Sequence, residues 1–317
     1  MPHSLHRATL ALHTPLGTPL AGDTLFGQMC WTLREAAGEA ELRRRLDGYT
    51  RGFPWLVVSD GFPCGFLPRP TLPQHFAPQI DDPRQRKAAK RQRWLRADDT
   101  GRPLAKQLAA AVDDEQAYGR SPRDENRSHN TIDRRTGSTG EGAFAPYTMA
   151  QSRHAAGQRI DLYLVLDDDR LPAAEAGRLL AALGSMGFGR DASVGLGKFT
   201  VESIARAAFA EPTRAGAYWT LAPCAPQGQG FRGSDSYWRV LTRFGRHGNT
   251  LALARNPFKT PLLLAASGAV LTPAGPFERR PFVGQGLGGD GSLSKAEPAT
   301  VHQGYAPVAA IDLETAT

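Results

Sequence analysis

The sequence predicts an α+β fold of two sandwiches with antiparallel sheets, and three observations predict it. Phe26, Met29, Cys30 and Leu33 follow the i, i+3, i+4, i+7 spacing of a buried helical face. Ile160, Leu162, Leu164 and Leu166 alternate as strand residues do. The order strand, helix, strands then occurs twice along 317 residues of ordinary globular composition, 41% hydrophobic and 22% charged, although no internal sequence repeat is visible.

The elements follow in order. Residues 5–13, "LHRATLALH", alternate enough for an opening strand, and "TPLGTPLAG" supplies turn residues. Asp23 stands as an N-cap for the first helix and Gly38 can close it. Strand, Gly-rich turn and helix N-terminus together offer orphan N–H groups to phosphate, an arrangement any strand-helix unit shares. "FPWLVVSDGFPCGFLPRPTLP", residues 53–73, is dense in Pro and aromatics and reads as a strand with an ordered loop lying over the body. Residues 74 to about 130 are polar, charged and poor in β-branched residues, which predicts a largely helical insertion with a mobile end near "YGRSPRDENRSHN". Turn residues then surround Arg134 and Arg135 before the strand in "QRIDLYLVLDD". Pro172 opens the next helix, whose apolar face is Ala176, Leu179, Leu180 and Leu183, and "KFTVESIARA" resumes as a strand. After Arg206 a second unit begins. "AYWTLAPC" is its first strand, 235–249 a helix or strand with basic residues, and "TPLLLAASGAVLTP" a hairpin around Ser267 and Gly268.

Between that second helix and the next strand lies "GFGRDASVGLGKF", residues 187–199, with glycines at 187, 189, 195 and 197. Glycine tolerates positive φ and lets backbone N–H groups approach a ligand, so such loops commonly cradle anions. A Rossmann or Walker A loop must follow a strand and open a helix, and this loop does the reverse, so dinucleotide and ATP binding are unsupported. A second run, Gly284 to Gly291, places five glycines in eight residues. It is read either as a further ligand loop or as turn geometry alone.

The charge is localised. The chain carries 38 basic and 31 acidic side chains, and "RQRKAAKRQRWLR", residues 84–96, holds seven cations and no acid, which accounts for the whole excess of +7. Lacking Gly and Pro, the segment reads as a helix with Arg84, Lys87 and Arg91 on one face, suited to a polyanion; a solvated charged face is the alternative. Cys30, Cys64 and Cys224 are far apart, which excludes a CxxC site and reads as buried free thiols in a reducing compartment. With no long apolar run and no signal-peptide layout at the start, a cytoplasmic protein without membrane contact is expected. There is no HExxH and no Cys/His cluster, so no metal or cofactor is called for. Asp167, Asp168 and Asp169 are explained by capping of the following helix. Eight histidines raise the possibility of metal-free RNA cleavage, but none has a recognisable catalytic partner spacing, so no catalytic residue is assigned.

"DTLFGQMCWTLRE", "SDGFPCGFLPRP", "HNTIDRRTGSTGEGAFAP", "GFGRDASVGLGKF", "PFVGQGLGG" and "VHQGYAPV" occur in this order between residues 23 and 308. In these blocks the chain resembles the RAMP proteins of CRISPR systems and, within them, the subunit-four family of the type III-A Csm effector. Residues 74–128 carry no matching block. The resemblance implies two facing ferredoxin-like, RRM-type domains, 1–206 with the insertion at about 74–130, and 207–317. It implies a non-catalytic, RNA-binding subunit of an antiviral ribonucleoprotein that grips the repeat-derived 5′ handle of crRNA. The large polymerase-palm subunit and the first repeated backbone RAMP subunit are the implied protein partners. Handle contacts are expected from Gly187, Gly189, Arg190, Ser193, Gly195, Gly197 and Lys198, with Arg134 and Arg135 on phosphates and His129 and Asn130 on bases. The alternatives are a metal-independent CRISPR RNA-processing endoribonuclease of the same fold and a protein-interaction scaffold.

Overall fold

The computed structural model describes residues 3–77, 80, 82–248, 251 and 256–313. Residues 78, 79 and 81 of the expected insertion, and Asn249 of the 235–249 segment, lie outside the described residues.

The first half runs β1 (His3–Leu12), α1 (Gly22–Ala37), α2 (Glu39–Leu46), β2 (Leu56–Val58), β3 (Phe62–Pro63) and β4 (Phe66–Pro68). It continues with α3 (Pro83–Ala89), β5 (Trp94–Arg96), α4 (Leu104–Ala109), α5 (Asp114–Tyr118), β6 (Arg123–His129) and β7 (Tyr147–Arg153), then β8 (Arg159–Asp167), α6 (Ala173–Met186) and β9 (Phe199–Arg206). The order across the main sheet is β2-β8-β1-β9, with every pairing antiparallel and β3 also pairing β8. Strand, helix, strand, strand, helix, strand in that spatial order is the ferredoxin-like arrangement, with residues 59–158 inserted between its second and third strands. The second half is β10 (Ala217–Thr220), β11 (Val240–Arg243), β12 (Leu262–Ala265), β13 (Val270–Leu271), β14 (Phe282–Gly288) and β15 (Val301–Ile311). It forms an antiparallel sheet in the order β13-β10-β15-β14 and a separate β11-β12 ribbon. Among the described residues this half has no α-helix of its own.

The two sheets share their apolar interior. β8 is buried on both faces. Leu162, Leu164 and Leu166 pack with Phe26, Met29, Leu180 and Leu183 of α1 and α6, whereas Tyr163 packs with Trp219 and Ile311 of the second sheet. Each such side chain removed from water contributes on the order of 2 kcal/mol. Gln303 of β15 is fully buried and fastens the halves, its amide donating to Val58 O and accepting from Val58 N, both at 2.8 Å.

Several local expectations are corrected. Asp23 does not cap α1; Ala21 is at the N-cap, Asp60 Oδ1 accepts the Gly22 N–H at 2.7 Å, and Asp23 instead points inward to Arg243. A first-turn carboxylate beside a half-buried guanidinium gains more from the ion pair than from an N–H. The basic segment is not one helix. α3 stops at Ala89, and the chain extends into β5 because Leu95 is wanted in the core, where it meets Leu67, Leu104 and Leu108. The insertion is mixed rather than largely helical, and its expected mobile end is β6, paired along its length with β7. Residues 260–273 turn at Gly268, but β12 pairs β11 and β13 pairs β10, so they are not a hairpin. Gly284, Gly286 and Gly288 of the tail run lie in β14, where a Cβ on Gly286 would stand 2.6 Å from Tyr49 O. Cys30 and Cys224 are buried, with burial pushing both thiols up to about 12, but Cys64 is exposed.

Candidate nucleic-acid interface

Residues 13–21, the turn between β1 and α1, act as a rail on which the Gly-rich loop rests. His13 N donates to Lys198 O (2.9 Å), Lys198 N to Thr14 Oγ1 (2.8 Å), Gly197 N to Pro15 O (2.8 Å) and Arg190 N to Thr18 Oγ1 (3.0 Å). Leu16 exchanges backbone hydrogen bonds with Ser152 of β7, both 2.9 Å, so the β6-β7 hairpin is fastened to the same rail.

This anchoring changes what the glycines do. Gly187 N donates to Leu183 O, Gly189 N to Gln28 Oε1, Gly195 N to Ala192 O and Gly197 N to Pro15 O. None of the four presents a free N–H to a ligand. Gly197 is required for packing, since at φ 70° a Cβ would stand 2.1 Å from Phe188 O. Gly195, at φ 98°, faces open space. The unbonded N–H groups of the loop are those of Asp191, Ala192 and Ser193, at the first turn of the 3-10 segment Ala192–Val194. Ser193 and Lys198 are exposed beside them.

The hairpin carries the other expected residues, and the structure separates them. His129 at the end of β6 stacks on Tyr147 of β7, centroids 5.3 Å apart and planes 11° off parallel, and exposed Arg127 is two residues along the same face. The Arg190 guanidinium donates to Ala150 O on β7, which links the Gly-rich loop to the hairpin about 10 Å along the strand from that stacked pair. Asn130, Arg134 and Arg135 lie beyond the paired strands at the exposed tip. Arg135 is held by Asp133 (3.1 Å), whereas Arg134 has no ion-pair partner among the described residues.

Where rail, hairpin base and insertion meet, a cavity of about 280 Å3 is lined by His13, Arg120, Arg123, Arg153 and His154. Arg153 is paired with Glu125 at 2.7 Å, while Arg120 and Arg123 have no ion-pair partner among the described residues. Burial lowers the His154 imidazole below its usual value, and its buried Nδ1 has no partner. The nearby Glu115 carboxyl is held low by the N–H and hydroxyl of Ser121, so it stays ionised. A cavity with two unpaired guanidiniums, joined by about 20 Å of hairpin to a stacking pair, suits the phosphates and bases of a single strand. Arg120 and Arg123 escaped the sequence reading because "YGRSPRDENRSHN" looked like a mobile end; its three arginines within eight residues were the available signal. Among the described residues no group of His, Cys, Asp or Glu could hold a metal ion, and no helix is long and apolar enough to cross a membrane.

No protein-family model matches the sequence, and no curated protein matches it. Solved structures do. A chain of a Csm1-Csm4 cassette in complex with pppApA is similar over 98% of this chain and 99% of that one, with 15% identity and a TM-score of 0.58. This chain has that chain's fold. The same cassette with cA4 matches over the same shares at 14% identity and a TM-score of 0.59. With cA3 it matches over 99% of both chains at 15% identity and a TM-score of 0.56. The likeness extends through the insertion at 74–128, which had carried no matching sequence block.

Proposed function

We propose that this chain is a subunit-four-type RAMP protein of a type III Csm effector, which binds the 5′ handle of crRNA without cleaving it. The observation that carries the reading is the convergence, on one rail beside a ferredoxin-like sheet, of the Gly-rich loop, the stacking hairpin and a cavity with two unpaired arginines. The fold shared with a cassette chain supports it. In this reading the cations of the loop and cavity take RNA phosphates, the Asp191–Ser193 N–H groups supplement them, and the glycines give the loop its shape. His129 and Tyr147 supply the flat surface for a base.

Docking of the large polymerase-palm subunit belongs to the same proposal. The outer face of the β11-β12 ribbon exposes Val240, Phe244, Phe258 and Leu263, each more than 60% accessible, with Trp238 beside them. An apolar face of this kind marks a protein contact. The first backbone RAMP subunit is the other protein partner proposed.

Binding of a single-stranded RNA, followed by fluorescence anisotropy across about 0.05 to 0.2 M salt, tests the RNA reading. Affinity should fall steeply with salt, and R120Q/R123Q should shallow the log-log slope by about 1.4, since each phosphate contact on a single strand contributes about 0.7. A salt-independent affinity, or a double variant identical to wild type, would contradict it. Incubation of a repeat-containing RNA in EDTA should leave it intact, and shortening would favour the endoribonuclease.

A further inference from the structure

The rail leads to a second cavity. At Pro19, Leu20 and Ala21 it forms one side of a cleft of about 590 Å3 between the two halves of the molecule. The basic segment, whose charge the preceding site does not use, forms a second side with Lys90, Arg93 and Trp94. Arg69 and Leu72 form a third, and Arg239 and Ser267 from the second half complete the ring, with Asp60 at its edge.

We propose that this cleft seats one nucleotide of a single-stranded RNA, its phosphate between Lys90 and Arg239 and its base against Leu20, Leu72 and Trp94. The proposal rests on the RNA-binding reading above and gives the basic segment its task.

Four cations meet one carboxylate there. Arg93 is neutralised by Asp114, and Arg69 is engaged with the carbonyls of Ala89 and Gln92, both 3.4 Å, which ties the 68–72 strap to the basic segment. Lys90 and Arg239 have no ion-pair partner among the described residues, are exposed, and come from opposite halves of the chain. Asp60 subtracts only part of a charge from this field near neutral pH, because burial raises its carboxyl to about 7. Trp94 is fixed by its indole N–H on Asp114 at 2.7 Å and by an edge contact with Phe62, so the apolar wall is preformed. Cavities of this volume are usual for nucleotide-sized ligands. Unpaired cations around a rigid aromatic wall are the pattern by which single strands are held. An acidic protein segment would use the charges but not the wall. Four residues of extended chain, at most about 14 Å, separate Pro15 at the first cavity from Pro19 at the second, so one strand can occupy both.

The test uses the full chain and a fluorescein-labelled single-stranded RNA of about 12 nucleotides, within the site sizes of single-strand binders. K90Q/R239Q alters two exposed side chains and should leave the thermal melt unchanged while weakening RNA and shallowing its salt slope by about 1.4. With 4-thiouridine in the RNA, photo-crosslinks should appear in the peptides carrying Leu72 or Trp94. Wild-type binding of RNA that K90Q/R239Q leaves intact, with crosslinks confined to the hairpin and Gly-rich loop, would overturn the inference and leave the proposed function standing. The same follows if K90Q/R239Q loses only a copurifying protein. Failure of the wild-type chain to bind the RNA would overturn both.

Discussion

Replacing Asp23 with asparagine tests the polar lock between the halves. The Asp23 carboxylate is fully buried, with Arg243 Nε and Nη2 donating to it at 2.6 and 3.0 Å and His302 Nε2 standing 3.3 Å away. Burial alone would raise this carboxyl, but contact with His302 and the charge of Arg243 outweigh burial and hold it below the usual range. Removing one partner of a buried pair costs about 3–5 kcal/mol, chiefly because the other charge is left uncompensated. The Arg243 side chain retains 27% of its exposure, so the lower end, about 3 kcal/mol, applies. For a chain of 317 residues that is a fall in Tm of about 4–5 °C. Thermal melts followed by circular dichroism at pH 7 measure it. D23N/R243M removes both charges and should recover part of the loss. A depressed carboxyl stabilises the fold above its unfolded pKa, about 3.9, and ceases to do so as pH falls through the lower folded value. The wild-type advantage should therefore fade below about pH 4. A loss under about 1 kcal/mol for D23N, or a double variant worse than the sum of the singles, would refute the lock.

Asp60 titrates in the opposite sense. Its carboxyl, raised by burial from 3.8 to about 7, keeps a proton that the unfolded chain loses, so stability should decline from about pH 4 to 7 by at most about 4 kcal/mol. D60N, which keeps an acceptor for the Gly22 N–H, should flatten that decline in melts across this range, and an unchanged slope would reject the assignment. G197A should be severely destabilised, because its Cβ meets the Phe188 carbonyl, whereas G195A at an open position should cost only the left-handed strain of about 1–2 kcal/mol. G195D should remain folded yet weaken RNA binding through its added negative charge; equal RNA affinity for G195D and G195A would argue against the loop as a contact.

Periodicity revealed the ferredoxin-like unit because its strands and helices obey their own repeats. The alternation at Ile160 to Leu166 located β8 correctly, and only the second sheet, arriving from beyond residue 206, accounts for Tyr163 being buried too. Local rules failed where a distant partner decided the outcome. Asp23 is a good cap by sequence, and Arg243, 220 residues away, drew it inward. The basic segment reads as a helix until Leu95 is claimed by the core. The Gly-rich loop was legible as a special backbone. The N–H groups of Gly189, Arg190, Gly197 and Lys198, however, are engaged by the 13–21 rail and by Gln28, a pairing that spacing within the loop cannot disclose. Arg120 and Arg123 became visible as a pair only when β6 folded back on β7 and brought them to His13.

The most direct test of the proposed role is to tag the chain in its own host, purify it gently and sequence the ends of the RNA that accompanies it. The account predicts RNAs that share one 5′ end followed by variable sequence, together with a large companion protein. Random fragments, or no RNA at all, would contradict handle binding and favour a protein-interaction scaffold.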